Sequence, residues 1–231
     1  MNLHGGGYVV RSPEQDDPWC RYLAANAAVF VLNVDYDVAP GARFPVPVEP
    51  AYDVVALAAS HSDGWESSRV GVGGQSAGGA LAAGAARLAL EHGTPKLALQ
   101  VLHYPPLDLV TSAKDKRAGH EKVLIRPWMG EVFDTAYVPD AAQRRDRLVS
   151  PAWGTNADGI EGIAPAVVVT CEVDRLHDEG VRYAEALARA GALREHVDLE
   201  GVDHGYNLLA TGADAERGYR IIAAQVRDVL G

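Results

Sequence analysis

The stretch Val70–Ala80, VGVGGQSAGGA, places a serine between a short apolar run and an alanine-rich segment. The run before Ser76 favours a buried strand, and the alanines after it favour a helix. Gly74 and Gly78 permit a tight turn between the two elements. A serine on such a turn projects its hydroxyl above the sheet, where the N–H groups of the following helix also point. Taken alone, the stretch could equally be a tight strand–helix junction without chemistry.

Strand-like and helix-like segments alternate along the rest of the chain. This alternation predicts an α/β fold with a mostly parallel sheet flanked by helices. The last predicted strand is more polar than the others, which favours a sheet edge. The predicted strands are Ala28–Val34, Arg69–Gly73, Leu97–Tyr104, Ala166–Cys171 and Arg194–Leu199, and the predicted helices are Asp17–Ala27, Glu49–Ser60, Ala77–His92, Asp178–Ala190 and Asp214–Leu230.

One segment, residues 108–149, interrupts this alternation with many charges and no strand signal. An unstructured loop of that length is uncommon in a compact domain. We therefore predict a helical lid insertion over the site, within a single domain that spans residues 1–231. The aromatic-bearing part, Trp128–Tyr137, is expected to present an apolar wall to a substrate.

Composition narrows the functional classes. The 231 residues are 48% hydrophobic and carry a formal net charge of −10, which argues against a nucleic-acid partner. No apolar run is long enough for a membrane span and no secretory leader is evident, so a cytoplasmic location is expected. The two cysteines predict buried free thiols. We expect no cofactor and no metal, because no metal-site or phosphate-loop spacing is present.

Two further motifs suit nucleophilic catalysis by Ser76. The run His4–Gly7 has glycines that can bring backbone N–H groups close to a reacting carbonyl. Gly6 and Gly7, together with the N–H of Ala77, are the candidate oxyanion donors. The alternative is a flexible glycine tail near the start of the sequence. His4 itself is expected to make structural hydrogen bonds.

The candidate acid and base follow Ser76 in the chain. Asp174 comes after a predicted strand, and His204 lies in a glycine-flanked loop 30 residues later. Such a histidine can accept the serine proton, and a carboxylate can orient its ring. Competing acids are Glu172, Asp178 and Asp203, of which Asp178 is expected to cap the next helix and Glu172 to support the loop. The competing bases are His4, His61, His92, His103, His120, His177 and His196.

With these motifs, the chain resembles the hormone-sensitive-lipase-like family of α/β-hydrolases, the bacterial carboxylesterases with an HGGG motif. The resemblance implies that Ser76 is the nucleophile, that Asp174 and His204 complete a triad, and that Gly6, Gly7 and Ala77 form the oxyanion hole. It implies hydrolysis of short-chain carboxylic esters. Further landmarks are Val34-Asp35-Tyr36, Ala39-Pro40, Phe44-Pro45, Tyr104-Pro105, Ser150-Pro151, Glu172-Val173-Asp174, Leu176, Asp178-Glu179-Gly180, Tyr183 and His204-Gly205-Tyr206.

The sequence also departs from that family. Gln75 replaces the usual acid or threonine before the serine, and its polar side chain predicts altered support of the turn. Arg175 replaces a frequent proline. Only Met1–Leu3 precede the HGGG run, so we expect N-terminal strands and part of the cap to be missing, with the HGGG strand lying between the first two predicted strands.

Several alternatives stay open. The triad does not separate an esterase from a peptidase or amidase on the same fold. A non-catalytic receptor-like module for small ligands is also compatible with the fold. The expected partner is a small-molecule ester, and a homo-oligomer is possible.

Overall fold

The computed structural model describes residues 1–61, 64–208 and 212–231. Its strands are β1 (Asn2–Leu3), β2 (Asn33–Val34), β3 (Gly71–Gln75), β4 (Leu99–His103), β5 (Ala166–Cys171) and β6 (Leu193–Leu199). They form one sheet in the order β2-β1-β3-β4-β5-β6, and every neighbouring pair is parallel. The predicted α/β class and the edge position of the last strand are confirmed.

Helices cover both faces of this sheet. They are α1 (Asp17–Ala27), α2 (Val48–Ser60), α3 (Ala77–His92), α4 (Pro127–Tyr137), α5 (His177–Arg189) and α6 (Ala213–Leu230). Helices α2, α3 and α5 pack their apolar residues into one core cluster, and α1 and α6 pack theirs into a second cluster on the opposite face. No helix of the described residues is long and apolar enough to cross a bilayer.

The predicted strand Ala28–Val34 is largely wrong. Among the described residues of this run only Asn33–Val34 pairs as a strand, because its partner in the described sheet, β1, offers a two-residue register. Ala28 at the end of α1 has a φ of 54°, which turns the chain away from an extended course. An apolar run by itself cannot show whether a partner strand lies beside it.

Strand β1 lies between β2 and β3, as expected for the strand that leads into the HGGG run. The N–H of Asn2 donates to the carbonyl of Leu32 at 2.8 Å, and the N–H of Gly73 donates to the carbonyl of Met1 at 2.9 Å. A cavity of about 250 Å³ adjoins this short strand and is lined by Val29, Val31 and other apolar residues.

The segment 108–149 contains α4, a 3-10 turn at Gln143–Arg145 and connecting turns, with no strand. Glu91 of α3 holds the C-terminal end of this segment by accepting a hydrogen bond from Arg147 at 2.5 Å. It also accepts one from Arg87 of α3 at 2.6 Å. Those arginines hold the pKa of Glu91 at about 2.

Candidate active site

Ser76 occupies the sharp turn between β3 and α3. Its φ of 53° is rare for a residue with a side chain. The two glycines are required by close packing: a Cβ on Gly78 would lie 1.9 Å from the carbonyl oxygen of Leu3, and one on Gly74 would lie 2.4 Å from the same atom. Backbone strain of this kind persists where the surrounding structure enforces it, often at functional sites.

The structure brings Ser76, His204 and Asp174 into one chain of hydrogen bonds. His204 Nε2 lies 2.9 Å from Ser76 Oγ, and His204 Nδ1 lies 2.7 Å from Asp174 Oδ2. Asp174 follows β5 and is buried, as is His204. A carboxylate that accepts from Nδ1–H leaves Nε2 free to accept the serine proton. The arrangement can therefore activate a serine hydroxyl.

The competing acids have other partners. Glu172 accepts a hydrogen bond from the N–H of Gly201 at 2.7 Å and supports its loop, as predicted. Asp203 accepts from the N–H of Leu124 at 2.6 Å. The prediction that Asp178 caps its helix is wrong: it lies inside the first turn of α5, where its carboxylate pairs with Arg117 at 3.0 Å.

A cavity of about 180 Å³ opens above Ser76. Gly6, Gly7, Ser76 and His204 line it, and the fully buried Ala77 directly follows the serine. Among the hydrogen bonds of the described residues, none is donated by the N–H of Gly6, Gly7 or Ala77. Unpaired N–H groups near a nucleophile are suited to stabilising an oxyanion.

His4 is a structural residue, as predicted. It is fully buried, its Nδ1 lies 2.6 Å from the carbonyl oxygen of Gly5, and its ring stacks on Tyr36 with centroids 4.2 Å apart. His103 was another candidate for the base. Burial and the nearby His204 lower its pKa to about 3. A neutral His103 contacts the hydroxyl of Tyr206 at 2.9 Å.

A buried polar network behind the turn was not found from the sequence. The Tyr104 hydroxyl lies 2.8 Å from Gln75 Oε1 and 2.5 Å from Asn207 Oδ1. Asn207 also donates to Gln75 and, at 3.0 Å, to the hydroxyl of Tyr219. Gln75 thus supports the turn, as its polar side chain predicts, and Asn207 links it to the loop that carries His204.

Arg175 is a second residue whose role the sequence did not reveal. Its guanidinium donates to three carbonyl oxygens of the 108–149 segment: Ala113 at 3.0 Å, Lys116 at 2.7 Å and Ile125 at 3.0 Å. The residue next to Asp174 therefore holds this segment in place. In the described ranges, no group of three or more histidine, cysteine or carboxylate side chains is arranged to hold a metal ion.

Residues 1–208 match the α/β-hydrolase fold family. The chain belongs to this family. This α/β hydrolase is 32% identical to the carboxylic ester hydrolase LipN of Mycobacterium tuberculosis over 233 residues, 97% of this chain and 61% of LipN. It is 36% identical to the ethyl acetate hydrolase of Pseudomonas putida over 213 residues, 89% of this chain and 65% of that protein.

Solved structures agree with these relatives. The hyperthermophilic esterase of Pyrobaculum calidifontis superposes with a TM-score of 0.90 at 33% identity, over 98% of this chain and 75% of that chain. The resemblance to the HGGG-motif carboxylesterases and the predicted fold class are confirmed. The chain spans 61% and 65% of the lengths of the two curated relatives named above.

Proposed function

We propose that this α/β hydrolase is a serine hydrolase that cleaves short-chain carboxylic esters through an acyl-enzyme. The observation that carries the proposal is the hydrogen-bonded chain from Asp174 through His204 to Ser76, at 2.7 Å and 2.9 Å. In this proposal Ser76 is the nucleophile, His204 the general base and acid, and Asp174 the orienting carboxylate.

The first half-reaction forms the acyl-enzyme. His204 Nε2 takes the hydroxyl proton as Ser76 Oγ attacks the ester carbonyl carbon. The carbonyl oxygen gains a negative charge and faces the N–H groups of Gly6, Gly7 and Ala77. One such donor typically contributes roughly 3–4 kcal/mol to the transition state. The tetrahedral intermediate then breaks its bond to the alcohol oxygen, which leaves with the proton from His204.

The second half-reaction uses water in place of the alcohol. His204 removes a proton from the water as its oxygen attacks the acyl carbon. The intermediate collapses, the Ser76 oxygen takes the proton back, and the carboxylic acid leaves. Asp174 stays ionised throughout and stabilises the imidazolium that forms in each half-reaction.

The substrate class follows from the cavity. Its volume of about 180 Å³ suits a small ester, and Met129 and Phe133 of α4 supply an apolar wall. The relative from Pseudomonas putida is an ethyl acetate hydrolase, a name that refers to a short ester. The segment 108–149 serves as the lid within a single domain. A cytoplasmic location and a homo-oligomer remain predictions from the sequence.

Ester hydrolysis is tested with nitrophenyl butyrate and a serine-directed fluorophosphonate. Wild type should hydrolyse the ester and gain one phosphonate by intact mass, whereas Ser76→Ala should lose activity by at least about a thousandfold. Ser68→Ala, at an exposed serine outside the cavity, is the matched control and should keep full activity. A folded Ser76→Ala that retains labelling would refute the assignment of Ser76. An unlabelled, inactive wild type would favour the receptor-like alternative.

A further inference from the structure

Asp134 is a buried carboxylate without a partner in the candidate active site. It lies on α4, is 7% exposed and lines the same cavity as Ser76. Its carboxylate makes no hydrogen bond and no ion pair within the described ranges of the chain. Two other buried carboxylates are in ion pairs: Glu179 binds Lys116 at 2.7 Å, and Asp108 binds Arg182 at 2.9 Å. Asp16, which lines the same cavity, accepts a hydrogen bond from the side chain of Asn2 at 2.9 Å.

The charged groups around Asp134 make their hydrogen bonds and ion pairs with other residues. Lys116 is held by Glu179, as described above. Glu131, one turn earlier on α4, accepts a hydrogen bond from the N–H of Ala113, and Arg144 donates to the carbonyl oxygen of Val138. Burial is the main cause that raises the pKa of Asp134 to about 7; the charge of Lys116 opposes that rise and the charge of Glu179 adds to it.

The remaining surroundings of Asp134 in the cavity are largely apolar. Met129 and Phe133 line the same space. A carboxylate in such a setting is unfavourable unless a hydrogen-bond donor reaches it. Because the described protein groups do not supply that donor, a molecule bound in the cavity is the group that can.

We propose that Asp134 determines substrate specificity by binding a proton-donating group of the ester, either a protonated amine or a hydroxyl. This inference rests on the proposed function, since it assigns a substrate class to the same site. The group sits on the substrate at a distance from the scissile bond, and its contact with Asp134 places the ester carbonyl against Ser76. The net charge of −10 also favours the approach of a cationic ester.

Matched ester pairs test the contact. Dimethylaminoethyl butyrate and isopentyl butyrate have the same shape, and only the first carries a protonated amine. Hydroxybutyl butyrate and pentyl butyrate differ by a hydroxyl in the same way. For each pair the readout is the ratio of kcat/KM values, compared between wild type and each variant. This comparison cancels any change in folded fraction and the difference in leaving-group reactivity between the two alcohols. A second set, ethyl dimethylaminobutyrate against ethyl methylhexanoate, places the amine on the acyl half.

We expect wild type to prefer the amine or the hydroxyl member of at least one pair by about tenfold, the effect of one charge-assisted hydrogen bond. A preference confined to the amine identifies a cationic substrate, and one shared with the hydroxyl identifies a general donor. For an amine, the ratio should rise between pH 6 and pH 8, because the pKa of Asp134 is about 7 and its carboxylate ionises in that range.

The variants separate this inference from its rivals. Asp134→Leu should bring the ratio of the preferred pair close to one. Asp134→Asn should lower the ratio for an amine pair, because it removes the charge, but its amide oxygen can still accept a hydrogen bond from a hydroxyl. Glu131→Gln removes a charge from the same helix outside the cavity and should leave that ratio unchanged. Wild-type ratios near one with active hydrolysis of isopentyl butyrate would overturn the role of Asp134 and leave the proposed function standing. Failure to hydrolyse any of these esters would instead count against the proposed function.

Discussion

Replacing Asp134 by asparagine should stabilise the protein at neutral and alkaline pH. The asparagine keeps the shape of the side chain and removes its ionisation. Burial raises the pKa of Asp134 from 3.8 to about 7, so the folded protein holds a proton that the unfolded chain releases over that range. Stability of the wild type therefore falls as the pH rises from about 4 to 7, whereas the variant has no such dependence at this site.

The size of the effect follows from the change in pKa. Each pKa unit corresponds to about 1.36 kcal/mol. A rise from 3.8 to about 7 therefore corresponds to about 4 kcal/mol above pH 7, a large share of the 5–15 kcal/mol that typically stabilises a domain. The asparagine amide has a burial cost of its own, but that cost does not depend on pH. The pH dependence of the difference is thus the decisive quantity.

Urea unfolding of both proteins between pH 4 and pH 8 measures this quantity. The free energy of unfolding of Asp134→Asn minus that of wild type should increase by about 4 kcal/mol across the range and level off above pH 7. Glu131→Gln gives the opposite sign at neutral pH, because hydrogen bonds from Ser112 and Ala113 lower the pKa of Glu131. A difference for Asp134→Asn that stays constant from pH 4 to pH 8 would refute the reasoning.

Four further predictions concern the site and its support. Among acetyl, butyryl, octanoyl and palmitoyl nitrophenyl esters, kcat/KM should peak at a short chain, because the cavity is only about 180 Å³; a maximum at palmitoyl would contradict this. Asn207→Ala should lower kcat with little change in KM, and unfolding should show a loss of about 2–4 kcal/mol from unmade buried hydrogen bonds. Glu91→Gln should cost about 1 kcal/mol at pH 7, because solvent screens this exposed ion pair, and less at pH 3, because the stabilisation is complete above about pH 4.5 and is lost as the pH falls towards 2. Gly78→Ala should lose about 3 kcal/mol or more by clashing with Leu3, whereas Gly41→Ala, whose Cβ meets only an ordinary contact at 3.6 Å, should be nearly neutral.

The sequence predicts best where local signals and tertiary structure agree. The helices Asp17–Ala27 and Ala77–His92 have the predicted bounds. An acidic residue marks the start of the first, and alanine-rich composition with a glycine after His92 marks the second. The strand–Ser76–helix turn was predictable because only small residues fit around it. The prediction of a strand over Ala28–Val34 was largely wrong, because a strand needs a neighbouring strand to pair with, and the sequence of this run does not show whether one is present.

Contacts between side chains and groups that are distant in the chain could not be predicted from the sequence. Asp134 lies in the stretch Trp128–Tyr137, which the sequence predicts only as an apolar wall, and its burial depends on how α4 packs beside the cavity. The three acceptors of Arg175 are backbone carbonyls, which every residue possesses and which leave no sequence signature. Asn207 could have been singled out only from its spacing after His204, and a polar residue in a loop is too common to indicate a buried bridge.

Two hydrogen bonds connect the cavity wall formed by Leu124 and Ile125 to the loops that carry Asp174 and His204. Arg175 binds the carbonyl of Ile125, and the carboxylate next to His204, that of Asp203, binds the N–H of Leu124 at 2.6 Å. Leu124 and Ile125 also line the cavity. The same two residues of the wall are therefore tied to both loops, so a displacement of the wall must disturb either the Asp174 loop or the His204 loop. Substrate contacts made by α4, including those of Asp134, are in this way mechanically connected to the hydrogen bonds that orient His204 toward Ser76.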